Sequence, residues 1–142
     1  MQSEQPAAAG SGQESFILFN AGRKLPLIKH SFTAHFKGSK NKTMGDFYKA
    51  ATNELNFPDY FSSNLDSFND LLLDLSWIAE KHKRIVLVEY NEFLSAEPRQ
   101  RRLQLLSILQ SWAMEKDHEV WIEDEDAARK EILESGARFK TF

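Results

Sequence analysis

Hydrophobic and polar positions along the chain follow two different spacings. Phe32, Ala34 and Phe36 recur at every second residue, the pattern of a strand with one covered face, and predict a strand near 30–37. Residues 84–90, RIVLVEY, are β-branched-rich and almost continuously apolar, which predicts a strand buried on both sides. HEVWIED, beginning at His118, predicts a third. Between these runs the spacing lengthens to that of helices. Phe47, Ala51, Glu54 and Leu55 share one largely apolar face, and Thr43 with Asp46 three residues on resembles a capping box that opens this helix. Asn56-Phe57-Pro58 closes it, because the residue before proline is pushed away from helical geometry. A second helix starts near Ser63 or Asn64, with Leu65, Phe68, Leu72 and Leu75 on one face and Leu71 widening it. Ser95, Glu97 and Pro98 read as the start of a third, whose body carries Leu103, Leu106, Ile108, Leu109 and Trp112 up to about Glu115.

The order strand, helix, helix, strand, helix, strand places helices on a small parallel sheet, since connections that contain helices join parallel neighbours. The expected fold is α/β, a three-stranded parallel sheet packed with helices and extended at both ends. Residues 1–15, MQSEQPAAAGSGQES, are too small and polar to offset chain entropy by burial and are expected to be a flexible tail. Residues 16–126 form the domain. Residues 127–142 are expected to be a C-terminal helical appendage, ended near Gly136.

Composition narrows the functional classes. At 142 residues with 42% hydrophobic content, the chain supports one core. It has no cysteine, which excludes disulfides, thiolate zinc sites and a cysteine nucleophile. The sequence shows neither a membrane-spanning apolar run nor a secretory signal pattern, so a cytoplasmic protein with no membrane partner is expected. The net charge of −3 becomes informative once located, because residues 57–78 hold Asp59, Asp66, Asp70 and Asp74 and no lysine or arginine. Such a surface is a poor match for nucleic acid, whose binding rests on Lys and Arg against phosphate.

On a helix Asp66, Asp70 and Asp74 line one face, offset from the apolar stripe. The helix dipole favours Asp66 in the first turn and does nothing for Asp74. Two readings are open: a solvated helix face, or a docking surface for a strongly basic partner. Tyr60 and Phe61, in the loop before the helix, favour the second, since tyrosines beside charged anchors mark interface hot spots. Evidence for catalysis is thinner. Asp66 and Asp70 could pair as acid and base, and Glu123 to Asp126 with His118 could hold a metal ion, but neither spacing demands it. His30, His35, His82 and His118 form no i,i+4 pair, and there is neither a GxSxG motif nor a phosphate-cradling glycine loop. The expectation is no enzyme, no catalytic residues, no cofactor and no metal. Arg99–Arg102, RQRR, reads as a solvated turn, and Trp77, Trp112 and Trp121 as core.

FPDYFSSNLDSFNDLLLDLSW, residues 57–77, resembles the signature of the barstar family, the folded inhibitors of barnase-type ribonucleases. In that family a Leu-Pro-acidic-Tyr-Tyr/Phe loop leads into an Asn-aliphatic-Asp helix. Phe57, Pro58, Asp59, Tyr60, Phe61, Asn64, Leu65, Asp66 and Asp70 fall in that register without a gap, and it extends back through Phe47 and Asp46 to Gly38. IVLVEYNEF is similar to the family's next strand, so the resemblance spans roughly 32–123. It implies a ribonuclease-binding surface of Tyr60, Asn64, Asp66, Asn69 and Asp70. Tyr60 would pack into the nuclease cleft, and Asn64 would start the inhibitory helix. Asp66 and Asp70 match the two inhibitory aspartates, the second of which occupies the enzyme's phosphate site. Asn69 stands where the family's inhibitor has tryptophan, and Ser62 where it has glycine. The function implied is a proteinaceous inhibitor of a basic ribonuclease, serving as an immunity protein against an RNase toxin. The alternative is a barstar-fold adaptor for another basic protein.

Overall fold

In the computed structural model, which describes residues 14–142, the elements run β1 (Phe16–Phe19), β2 (Ser31–Lys37), α1 (Met44–Leu55), α2 (Leu65–Asp74), β3 (His82–Val88), α3 (Arg99–Ala113), β4 (His118–Glu123), α4 (Asp126–Glu134) and β5 (Phe139–Thr141). The tail expected over 1–15 lies, as far as residue 13, outside the described residues. Ser15 is already buried, and its N–H donates to the Arg138 carbonyl at 3.0 Å.

The strands form one sheet in the order β2-β3-β4-β1-β5, and every neighbouring pair is parallel. The α/β class with a parallel sheet is as expected, but the sheet has five strands rather than three. The two additional strands are short. FILF, residues 16–19, is a near-continuous apolar run with no visible alternation, and it becomes a strand by pairing with β4, Phe16 opposite Val120. β5 has three residues, too few for a period, and is fixed by pairing with β1 and by the Phe142 N–H to Leu18 carbonyl bond of 2.8 Å.

One rule of handedness accounts for both layers. From β2 to β3 to β4 to β5 the chain advances across the sheet in one direction, and α1, α2, α3 and α4 cover the same face. From β1 back to β2 it moves the opposite way. A parallel connection of the same hand must then cross the other face, and residues 20–30 do so. There Leu25 packs with Phe19, Val86 and Trp121, and the Arg84 guanidinium donates to the Pro26 carbonyl at 2.9 Å. With both faces covered, Arg84, Ile85, Val86 and Leu87 are all buried, as the continuous apolar run at 84–90 predicts.

The main core joins Phe36, Ile85, Leu87 and Val120 of the sheet to Phe47, Phe68, Leu106 and Trp112 of the helices. Ala128, Ile132 and Ala137, from the segment expected as an appendage, belong to the same core. The RQRR turn is also less solvated than its composition suggests. Arg102 lies against Glu131 of α4, with bonds of 2.7 and 2.9 Å, and its Nη1 donates to the Asn91 carbonyl at 3.0 Å. Trp112 and Trp121 are buried, and the Trp77 indole N–H donates to the Leu55 carbonyl at 2.8 Å.

The turn between β2 and α1 is fixed by close backbone approach. A Cβ on Gly38 would lie 1.9 Å from the Glu89 carbonyl oxygen, so only glycine fits. The N-terminus of α1 is capped twice, by Thr43 Oγ1 accepting from the Asp46 N–H at 3.1 Å and by Glu97 accepting from the Met44 N–H at 2.8 Å.

Candidate protein-docking site

The acidic segment folds as a ridge, a loop of residues 56–64 followed by α2, and its aromatic residues alternate between inward and outward roles. Phe57 is buried and meets Phe61 edge-on at 4.9 Å, and Phe61 in turn meets Tyr48 of α1 at 5.7 Å. Burial pushes the Tyr48 hydroxyl pKa up, an effect partly offset by the nearby Arg101 charge. Between these two anchors Tyr60 points outward and is 68% exposed. Phe61, which the sequence grouped with Tyr60 as a surface aromatic, is thus part of the support.

Asn64 closes the loop and starts the helix. Its side-chain oxygen accepts from the Ser67 N–H at 2.8 Å, while the Ser67 hydroxyl accepts from the Ser62 N–H at 3.1 Å. The first bond satisfies a donor that the first helical turn would leave open, and the second ties the loop to that turn. Below it, Phe68, Leu71 and Leu72 are buried, and the Phe68 ring lies 5.2 Å from that of Phe47. Burial of each such side chain contributes about 1.5–3 kcal/mol, so the helix is firmly seated.

The opposite face of α2 carries Asp66, Asp70 and Asp74, all exposed, with Leu73 beside them at 57% exposure. Among the described residues, none of the carboxylates of Asp59, Asp66, Asp70 and Asp74 pairs with a cation or accepts a hydrogen bond. Several acids elsewhere have partners. Glu89 faces Lys37, Glu92 faces Lys42 and Asp124 faces Arg129, whose guanidinium holds the Asp124 carboxyl below its ordinary value. Like charges four residues apart repel, so this face carries negative charge that the fold itself does not use.

All five residues singled out from the sequence are on this ridge: Tyr60 at its loop, Asn64 at the cap, Asp66 and Asp70 on the outer face and Asn69 half-buried at its flank. The Asn64 side chain is exposed and engaged in the cap of α2. What the sequence did not indicate is a neighbour: Gln104, Ser107 and Ile108 of α3 face Leu65, Asp66 and Asn69 across a groove of about 280 Å³. That contact is tertiary, between helices some forty residues apart, and leaves no local signal.

Among the described residues no group of three or more His, Cys, Asp or Glu side chains is placed to hold a metal ion. The acids of 123–126 serve the fold: Glu123 accepts from the Glu89 N–H and Glu125 from the Asn91 N–H, each at 2.9 Å. His118 bonds the Trp112 carbonyl and stacks on its ring, and burial lowers its pKa. No helix of the described residues is long and apolar enough to cross a membrane.

A family model described as Barstar (barnase inhibitor) matches residues 31–126, about two thirds of the chain. The chain belongs to the barstar family. The match begins at β2 and ends at the start of α4, so it takes in the three strands β2, β3 and β4 and the whole acidic ridge. β1, β5 and nearly all of α4 lie outside it. Barstar-family proteins are inhibitors of barnase-type ribonucleases rather than enzymes, and they act by binding a protein. A comparison with curated proteins finds no match.

Proposed function

We propose that this chain inhibits a basic ribonuclease by seating the Tyr60 loop and the outer face of α2 in the enzyme's active-site cleft, and that it serves in the cytoplasm as the immunity protein for an RNase toxin. The observation that carries the reading is the set of unanswered carboxylates on a capped, firmly packed helix. A ribonuclease active site is built to hold phosphates, so a preorganised carboxylate competes for the same charge-assisted hydrogen bonds. Asp70 takes the phosphate position, Asp66 meets a cation at the rim, Tyr60 packs into the cleft, Asn64 fixes the start of the helix and Asn69 lies along its flank. The unmixed negative potential also speeds encounter with a positive cleft.

The test is titration of RNA cleavage by barnase, and by further barnase-type ribonucleases, with the purified chain. Cleavage by at least one is expected to fall linearly to zero at one equivalent. Full activity of every enzyme at a tenfold excess of the chain would overturn the reading and leave the adaptor role in its place.

A further inference from the structure

Charge is segregated along the whole chain, and the acidic ridge is only one pole of it. Residues 15–45 hold Arg23, Lys24, Lys29, Lys37, Lys40 and Lys42 and not one aspartate or glutamate. Arg23, Lys24 and Lys29 lie on the strap of residues 20–30, which crosses the face of the sheet opposite the helices and is therefore on the far side from the ridge. Lys37 and Lys140 share that face, being paired in register with Val88 and Ile17. Its two acids are already engaged: Glu119 by His82, Arg84 and Trp121, and Glu123 by the Glu89 N–H. The strap ends just before residue 31, where the match to the family model begins.

On this strap Leu27 is 100% exposed, more than any other large apolar side chain of the described residues. Its position is built rather than slack. The buried Arg84 donates to the Pro26 carbonyl at 2.9 Å and the Ser31 hydroxyl donates to the Ile28 carbonyl at 2.6 Å, so the carbonyls of both neighbours are pinned. Leu25 packs inward against Trp121 and Phe19. The fold thus holds an aliphatic side chain out in water, an arrangement that contact with an apolar phase would favour. Lys24 and Lys29, on either side of it, pair with no carboxylate of the described residues.

An aliphatic tip between free ammonium groups matches an anionic bilayer, whose acyl chains take the tip and whose headgroups take the charges. We propose that the strap docks this chain on a membrane surface containing anionic lipid, with Leu27 inserted and Lys24 and Lys29 on the headgroups. RNA is a poorer match, because the strap has no Phe, Tyr or Trp on which a base could stack. Contact from the surface needs no spanning run, so it revises the expectation of no membrane partner. Negative headgroups repel Asp59, Asp66, Asp70 and Asp74, which turns the ridge away from the bilayer and leaves it open to protein. The lipid contact stands without the inhibitor reading. On that reading, it holds the inhibitor at the surface that an exported or incoming ribonuclease crosses.

The test is sedimentation of the full chain with vesicles at low salt. Binding to vesicles of phosphatidylcholine and phosphatidylglycerol in equal parts is expected to exceed binding to phosphatidylcholine alone about fivefold, and to fall as salt rises. Leu27→Asp, and Lys24→Glu combined with Lys29→Glu, are each expected to lower it to the phosphatidylcholine level, while Asp70→Ala leaves it intact. All three strap side chains are exposed, so these variants keep the fold, which a thermal melt checks. Equal sedimentation with both vesicles, or wild-type binding by Leu27→Asp, would overturn the proposal. So would binding of single-stranded RNA or polyglutamate at a lower chain concentration than the vesicles need, since the patch would then serve a soluble polyanion. In the ribonuclease titration above, the strap variants are expected to inhibit as wild type does. Lipid binding without inhibition would remove the inhibitor reading and leave the docking, and inhibition without lipid binding would do the reverse.

Discussion

Asp70→Ala is expected to weaken binding to the target ribonuclease by a hundredfold or more while leaving the melting temperature within about 2 °C of wild type. The two halves of this expectation have separate causes. Asp70 is exposed and makes no contact with a cation or donor of the described residues, so its removal costs the fold almost nothing and relieves repulsion from Asp66 and Asp74. On the proposed reading the same carboxylate is enclosed by positive groups of the nuclease, and deleting one partner of an enclosed pair strands the other, at about 3 kcal/mol or roughly two powers of ten in Kd. Asp66→Ala should behave likewise with a smaller loss, being closer to the rim. Calorimetric titration together with a thermal melt checks both halves. A variant that unfolds yet still binds would contradict the account.

Glu131→Ala is expected to do the reverse, lowering stability by about 3 kcal/mol, or roughly 10 °C in Tm, and sparing inhibition in molecules that remain folded. The Glu131 side chain is only 4% exposed and accepts from the Tyr90 hydroxyl at 2.7 Å, from Arg102 at 2.7 and 2.9 Å and from Arg99 at 3.1 Å. Without it, the Tyr90 hydroxyl and the Arg102 guanidinium lose a partner in a site with little water. Burial alone would raise the Glu131 pKa, but the bonds from Arg102 and Tyr90 and the Arg102 charge outweigh it and hold the carboxyl below its ordinary value. Its folded pKa is therefore lower than its unfolded one. The stability it contributes is present above about pH 4.5 and is lost as the pH falls through the folded value. Urea unfolding of wild type and Glu131→Gln at pH 7 and at pH 3 checks the sign: the gap between them should narrow in acid.

These two residues also mark what the sequence could and could not disclose. The exposed, outward position of Asp70 on α2 was legible because its signal is local. An unmixed run of aspartates on a periodic helix, introduced by Asn64, needs no knowledge of the rest of the chain, and the family register points to the same positions. Elements with a clear period were legible for the same reason: α1 begins at the Thr43 cap, α2 at the Asn64 cap, and the alternating Phe32, Ala34 and Phe36 fall within β2. Glu131 was not legible, because its partners are 29, 32 and 41 residues away and only the packing of α4 on α3 brings them together. Read locally, RQRR is a solvated turn; read with Glu131, it is a clamp. β1 and β5 were missed on similar grounds, since strands of four and three residues carry too little pattern and are defined by their neighbours. Phe61 shows the same limit on a smaller scale, as nothing in Tyr60-Phe61 says which ring faces Tyr48.

The claim at the centre is that the carboxylates of α2 occupy the place where the nuclease holds a phosphate. The most direct measurement is the affinity of the chain for the ribonuclease it inhibits, taken at increasing inorganic phosphate with ionic strength held constant by chloride. Two ligands for one site exclude each other, so the apparent Kd is expected to rise in proportion to phosphate once phosphate exceeds its own dissociation constant. An apparent Kd that stays flat over that range would place the chain elsewhere on the enzyme and contradict occlusion of the active site.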